Sequence, residues 1–439
     1  MAAKPLPRWR LAARAVGIGA RVAKHWTRLW FGLVFLWLRR SGKARRRAWL
    51  GQVVVDLFRE LGATFIKVGQ IMSTRPDLIP EYISHALAEL QDHVGPFSFD
   101  DVIRTVEGDL KRPMATLYTE FAPVPLASAS VSQVHKARLP DGRIVAVKVQ
   151  RPNVVELCTF DLAVMRIGAR VLNVIPSIST LAPVDTVEEF GRAIFAQLDF
   201  RIEARNNRRF RENFKNEPRV IFPEVIEELS SERVLTMTFI EGTKILSTRQ
   251  TRSDPKRVAR LGLQVLLKMI FEDGFVHADL HPGNIFITPD DKIALLDLGL
   301  VGELDEPNRR GFTKFFAAWA QRDGDTMAHL MYEMSANATG GVPNDPAAFE
   351  RYRAAIIEFV GRYWGQRMGE VQVGKVLFDM LGILRRHRVR VNPTFTIVNI
   401  AIAVTEGIGK QLDPELDLMS EALPYFLAHP QGAGTSSTA

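Results

Sequence analysis

Residues 275–299 read FVHADLHPGNIFITPDDKIALLDLG, and no other stretch limits the possible folds as strongly. Pro282 and Gly283 deny a regular helix and hold a loop open between Asp279 and Asn284, five positions apart. Ile285-Phe286-Ile287 and the run from Ile293 to Leu296 are strand-like on either side of a Pro289-Asp290-Asp291 turn. A short hairpin therefore returns the chain to Asp297-Leu298-Gly299, thirteen residues past Asn284.

Upstream, Val145-Ala146-Val147-Lys148 places a lysine on an apolar, strand-forming run. Phosphoryl transfer asks for this set: a carboxylate near the attacking hydroxyl, oxygen ligands for a metal, and a cation on the phosphates. Asp279 and Asn284 have the form of a kinase catalytic loop, and Asp297-Leu298-Gly299 supplies the second metal carboxylate. Each fragment is weak alone. Lys148 by itself would be an ordinary edge-strand lysine, and Asp297 a turn residue. In order and on suitable elements, they define a kinase-like nucleotide site. His277 and His281 have the i, i+4 spacing of metal ligands on a helix, but Pro282-Gly283 opposes a helix there. His277 reads as an organiser of the loop, and His281 carries no assignment.

The chain has 439 residues and is 46% hydrophobic and 24% charged, which gives room for one large or two ordinary domains around a real core. Its single cysteine, Cys158, excludes an intrachain disulfide and any cysteine-built zinc site. Helical periodicity runs over 43–72, from Pro80 to Asp92, and from a Ser98 cap to Leu110. Val131 to Leu139, Pro140-Asp141-Gly142 and Arg143 to Gln150 form a hairpin pattern. Helical patterns resume over 153–173, 185–215 and 252–274, and nearly everything after Glu306 is helical.

Charge is unevenly placed. Residues 1–50 hold thirteen Lys or Arg and no acid, while the other 389 positions carry 44 cationic and 49 anionic side chains. The basic character belongs to this arm, so a nucleic-acid-binding face on the body is not expected. Five of the seven tryptophans lie there too. On a helical wheel Val22, Trp26, Leu29, Trp30, Leu33 and Trp37 share one face and Arg14, Arg21, Lys24 and Arg28 another. Such a helix suits a membrane surface, its rings in the headgroup boundary and its cations on anionic lipid. The apolar run from Leu29 to Leu38 falls short of the roughly 20 residues that span a bilayer. A secretory signal lacks a small-residue cleavage site here, a transit peptide would carry more Ser and Thr, and a helix packed on the body is the plain alternative.

Lys67-Val68-Gly69-Gln70, within LGATFIKVGQIMSTRPDLIP, resembles the K-x-G-Q signature of the UbiB (AarF-type) atypical kinases. The stretch from Pro125 to His135, PLASASVSQVH, is similar to that family's Ala-rich loop. The match runs from about residue 50 to 425. It implies an α+β, atypical protein kinase-like fold with a small mixed β/α N-lobe, a helical C-lobe and an N-terminal helical extension. The corresponding divisions are a basic arm (1–50), the K-x-G-Q extension (51–120), the N-lobe with inserted helices (121–242), the C-lobe (243–428) and a disordered tail (429–439).

The resemblance also implies roles. Lys148 would hold the phosphates of ATP, oriented by Glu203, and Asp279 would stand at the catalytic-base position. Asn284 and Asp297 would ligate Mg²⁺, while Ala127, Ser128, Ala129 and Ser130 cover the nucleotide. The stretch from Met237 to Phe239 would be the hinge against adenine. Lys67 and Gln70 would sit on the extension that covers the place of a peptide substrate, facing a pair that in this chain is Gln197 and Asp199. The family pattern there is E-x-D, so a carboxylate is missing. Members of the family are linked to ubiquinone or related isoprenoid-lipid metabolism, as membrane-linked ATPases more than as protein kinases. The expected partners are thus anionic membrane lipid and either quinone-biosynthesis proteins or an isoprenoid lipid. The expected place is the cytoplasmic face of a membrane, or a mitochondrion in a eukaryote. A small-molecule phosphotransferase of the aminoglycoside or choline kinase type shares H-x-D-L-H-P-G-N, but has no use for the Lys67 motif. A nucleotide-sensing scaffold without turnover is the third reading.

Overall fold

Helical periodicity breaks into separate helices wherever a residue leaves the α conformation. In the computed structural model, which describes residues 7–73, 79–90, 95–175, 182–250, 253–335, 345–363, 373–389, 393–417 and 421–422, the long pattern over 43–72 is two helices. Helix α1 spans Arg8–Leu38, α2 Lys43–Leu61, α3 Ala63–Ser73 and α4 Glu81–Ala88. Gly62 separates α2 from α3 with φ of +98°, a region open to glycine at little cost. The expected tail over 429–439 lies outside the described residues.

The chain divides into two units, one of residues 1–205 and 224–239, the other of 206–223 and 240–439. In the first, α5 (Phe99–Leu110) starts where Ser98 Oγ accepts the Asp101 amide at 3.2 Å, as the sequence suggests. A short helix α6 (Met114–Leu117) leads into strands β1 (Glu120–Phe121), β2 (Ala127–Ser128), β3 (Ser132–Arg138) and β4 (Ile144–Gln150). With β5 (Val220–Ile221) in the other unit, the first sheet is completed by β6 (Val234–Thr238), in the order β1-β3-β4-β6 and antiparallel throughout. Val145, Val147 and Val149 face Val102 and Val106 of α5 in a dry layer. Strand alternation therefore turns Lys148 to the opposite face. It sits on a central strand, between Val134 of β3 and Leu235 of β6, and not at an edge.

The helix expected over 185–215 is also two. Helix α7 is Val154–Leu172, α8 is Pro183–Leu198 and α9 is Phe200–Asn213. Between the last two, Asp199 is extended (φ −96°, ψ 98°), and its carboxylate accepts the Arg201 amide at 3.0 Å. An Asp that caps a new helix ends the old one. Helices α3, α7 and α8 bury Val68, Cys158, Leu162, Phe190 and Ile194 together.

In the second unit β5 runs parallel to β10 (Ile293–Leu295), which pairs β9 (Ile285–Ile287), which pairs β7 (Thr243–Lys244). Helix α10 (Pro255–Leu267) is capped by Asp254 and ends in a π turn over Lys268–Glu272, so the expected helix to 274 stops short. Strands β8 (Phe275–His277) and β11 (Val301–Glu303) form a ribbon. Helices α11 (Glu306–Ala320), α12 (Gly324–Glu333), α13 (Pro346–Tyr363), α14 (Val373–Arg386) and α15 (Pro393–Leu412) follow, around a core that includes Phe275, Phe312, Phe315, Tyr352 and Phe395. The class is α+β, as expected.

Candidate functional site

In the first unit, Lys148 Nζ lies 2.8 and 3.1 Å from the two oxygens of Glu203, and both side chains are more than nine-tenths buried. The ammonium also lies 5.4 Å from the Phe200 ring centroid. Phe200 opens α9, so the break at Asp199 sets the turn from which Glu203 reaches the strand. Ala127 and Ser128 form β2, and the Ala129 amide donates to Ser132 O at 2.8 Å. Ser130 is buried, and among the described residues its hydroxyl has no hydrogen-bond partner. Arg151 carries no mark in the sequence pattern. It donates to Ala129 O and Gly95 O, each at 3.0 Å, and to Ser128 Oγ at 3.3 Å, tying this loop to the segment before α5. Met237 pairs Ala146 on β4, and the Phe239 amide donates to Ile144 O at 3.1 Å.

In the second unit, the Asp279 amide donates to His277 Nδ1 at 3.1 Å, so Nδ1 is the acceptor. His277 Nε2 must then carry the proton it gives to Leu296 O, also at 3.1 Å. The ring is fully buried, and that burial pushes its pKa below the usual imidazole value. His277 is therefore a neutral loop organiser with a fixed tautomer. His281 Nδ1 accepts the Gly283 amide and caps the turn, a role for the residue left unassigned. Asn284 Nδ2 donates to Asp279 O at 3.1 Å and approaches its carboxylate at 3.3 Å. The Leu296 amide donates to Asn284 O at 2.9 Å, which carries the hairpin ladder on to Asp297. Asp279, Asn284 and Asp297 thus share one end of the β9–β10 hairpin.

Asn284 and Asp297 offer an amide and a carboxylate oxygen, hard donors that suit Mg²⁺ when phosphates and water complete the octahedron. Among the described residues no cluster of three or more His, Cys, Asp or Glu could hold a metal alone. The donor set fits a metal that arrives with its nucleotide.

The third set does not assemble as expected. Both oxygens of Asp199 face Arg201, at 2.8 Å each, and among the described residues its carboxylate meets Arg201 and not Lys67. Arg201 holds Asp199 well below the usual carboxylate pKa. Gln70 Nε2 donates to Leu90 O at 3.0 Å, which joins α3 to the end of α4. The difference is local: Arg201, two residues on, holds both carboxylate oxygens of Asp199.

The arm departs too. Helix α1 packs on α2 and α7 through its cationic side. Arg14 gives two bonds to fully buried Asp161 (2.5 and 3.0 Å) and one to Leu61 O (2.9 Å). Lys24 meets Glu60 at 2.8 Å and Arg28 meets Asp56 at 2.7 Å, while Arg21 donates to Gly17 O at 3.0 Å. Trp26, Trp30, Phe31, Phe35, Trp37 and Leu38 are left exposed. No helix among the described residues is long and apolar enough to cross a membrane.

A lysine on a central strand paired with a helix glutamate, and an Asp–Asn loop beside a hairpin ending in Asp, define a kinase-like chain. The ABC1 atypical kinase-like domain matches residues 89–331, and the UbiB helical domain matches 356–417. The chain is 35% identical over 399 residues to a probable protein kinase UbiB of Aeromonas hydrophila, covering 89% of this chain and 71% of that one. It is 34% identical over 386 residues to the same-named protein of Aliivibrio fischeri, covering 86% and 70%. The chain belongs to the UbiB family of atypical kinase-like proteins. A solved structure of Rv3197 from Mycobacterium tuberculosis, in complex with erythromycin, has a similar fold (TM-score 0.53, 24% identity, 81% of this chain and 90% of that one).

Proposed function

We propose that the chain is an ATP-binding kinase or ATPase of UbiB type that works at a membrane surface and supports quinone or other isoprenoid-lipid metabolism. The observation that carries the reading is the buried Lys148–Glu203 pair, since an oriented lysine on a strand is what phosphate positioning requires. Lys148 holds the phosphates, Asp279 stands where an acceptor hydroxyl or water would lose its proton, and Asn284 and Asp297 hold Mg²⁺. The metal, when bound, neutralises charge that develops on the phosphoryl oxygens. Ala127 to Ser130 cover the nucleotide, and the Met237 to Phe239 stretch meets adenine.

Support for a lipid surface comes from the exposed rings of α1 together with exposed Arg39, Arg40, Arg45, Arg46 and Arg47 just beyond them. The aromatic face enters the interface and this second cationic cluster meets anionic headgroups. The test of the nucleotide site is a thermal-shift titration with Mg²⁺ and ATP. Wild type should be stabilised and Asp297→Asn much less so. Equal shifts in the two proteins would overturn the metal assignment.

A further inference from the structure

Asp297 has φ of +52°, a left-handed backbone that a residue with a Cβ seldom adopts. Something must hold it there, and the carbonyls on either side show what does. Leu296 O accepts from His277 Nε2 at 3.1 Å. Leu298 O accepts from Asn206 Nδ2 at 2.8 Å. Asn206 is about nine-tenths buried, and Leu298 is almost wholly so. The peptide plane before Asp297 and the one after Leu298 are therefore each pinned by one side chain, and the short backbone segment that carries the Asp297 carboxylate is held at both ends.

We infer that Asn206 is a positioning residue for Asp297: through the Leu298 carbonyl it keeps that carboxylate in the left-handed setting needed to receive Mg²⁺ with a nucleotide. The inference rests on reading Asp297 as a metal ligand. Asn206 touches neither metal nor substrate. Its position has no other explanation in helix chemistry, because an Asn inside a helix is disfavoured and tends to compete for backbone partners. Here it reaches another segment's carbonyl, to which no other donor is seen among the described residues.

Residues that orient a metal ligand typically alter metal affinity by about 10–100-fold when removed. The experiment uses the full chain and a fluorescent ATP analogue. It measures the Mg²⁺ concentration at half-maximal analogue binding, the analogue's affinity in EDTA, and the melting temperature. Asn206→Leu keeps much of the volume and removes the donor. It should raise half-saturating Mg²⁺ about tenfold or more while affinity in EDTA stays within about twofold of wild type. A purely structural role would lower the melting temperature and weaken both binding modes alike. If Asn206→Leu does not fold, Asn206→Ser, which leaves room for a water, carries the same readout. Unchanged Mg²⁺ dependence in the folded variant, with Asp297→Asn clearly impaired, overturns the inference and leaves the metal reading standing. Unchanged dependence in Asp297→Asn as well overturns the metal reading, and the inference with it.

Discussion

The docking of α1 turns on one guanidinium. Arg14 makes three hydrogen bonds, two of them to an Asp161 carboxylate that has no exposure to solvent. Removing one partner of such a pair leaves a buried charge and costs about 3–5 kcal/mol. The other pairs along the helix, Lys24–Glu60 and Arg28–Asp56, are partly or largely exposed, where a pair contributes about 0–1 kcal/mol. Arg14→Leu should therefore raise local opening of α1 on the order of a hundredfold or more, since each 1.4 kcal/mol is a factor of about ten. Lys24→Ala should raise it by about fivefold at most. Hydrogen exchange across residues 11–38 reads this opening directly, because a docked helix can detach without global unfolding. Arg14→Leu combined with Asp161→Leu should recover most of the protection, as an apolar pair replaces an ionic one. Equal protection in Arg14→Leu and Lys24→Ala would refute the reasoning.

Lys148→Met should cost stability as well as nucleotide binding, about 3 kcal/mol or more by thermal unfolding, because Glu203 loses a buried cation; Glu203→Leu in the same chain should restore much of it. Asp199, held low by Arg201, contributes stability that is present above the unfolded carboxylate pKa and is lost as pH falls through its lower folded value. Asp199→Asn should thus be less stable than wild type at pH 7, with the gap closing in acid below about pH 4, and a gap that persists there would refute the linkage. Serine at Trp26, Trp30 and Trp37 together should abolish sedimentation with anionic vesicles, whereas Lys24→Ala with Arg28→Ala should leave it unchanged.

The catalytic segment was legible because its chemistry is local. Asp279, Asn284 and Asp297 are joined by a hairpin whose strands and turn are written in the residues between them, and the register of β9 on β10 follows. Lys148 could be placed on a strand by alternation, but its burial on a central strand depends on β6, some ninety residues away in the chain. Glu203 could be assigned to a helix, yet the break at Asp199 that starts that helix could not, since period alone does not reveal a cap inside a polar run. Asn206 left a faint mark, two adjacent Asn residues within a helical pattern, that helix propensity could have flagged. Arg151 left none, because its partners at Gly95 and Ala129 are brought to it only by the tertiary fold.

The arm shows why a helical wheel ranks faces without saying what each face meets. Segregation of rings from cations fits a helix on lipid, with both faces serving the membrane. It fits equally a helix whose cations answer carboxylates of its own chain, and Asp56, Glu60 and Asp161 supply that answer. Once those cations are spent, the charge left for lipid lies beyond the rings, at Arg39 to Arg47, where Arg39 lies 4.5 Å from the Phe35 ring and Arg47 5.3 Å from the Tyr82 ring. Anchoring then rests on exposed aromatic area first and on that short cluster second. Its salt dependence should accordingly be shallow, set by a handful of arginines at about 1 kcal/mol each and not by the whole basic arm.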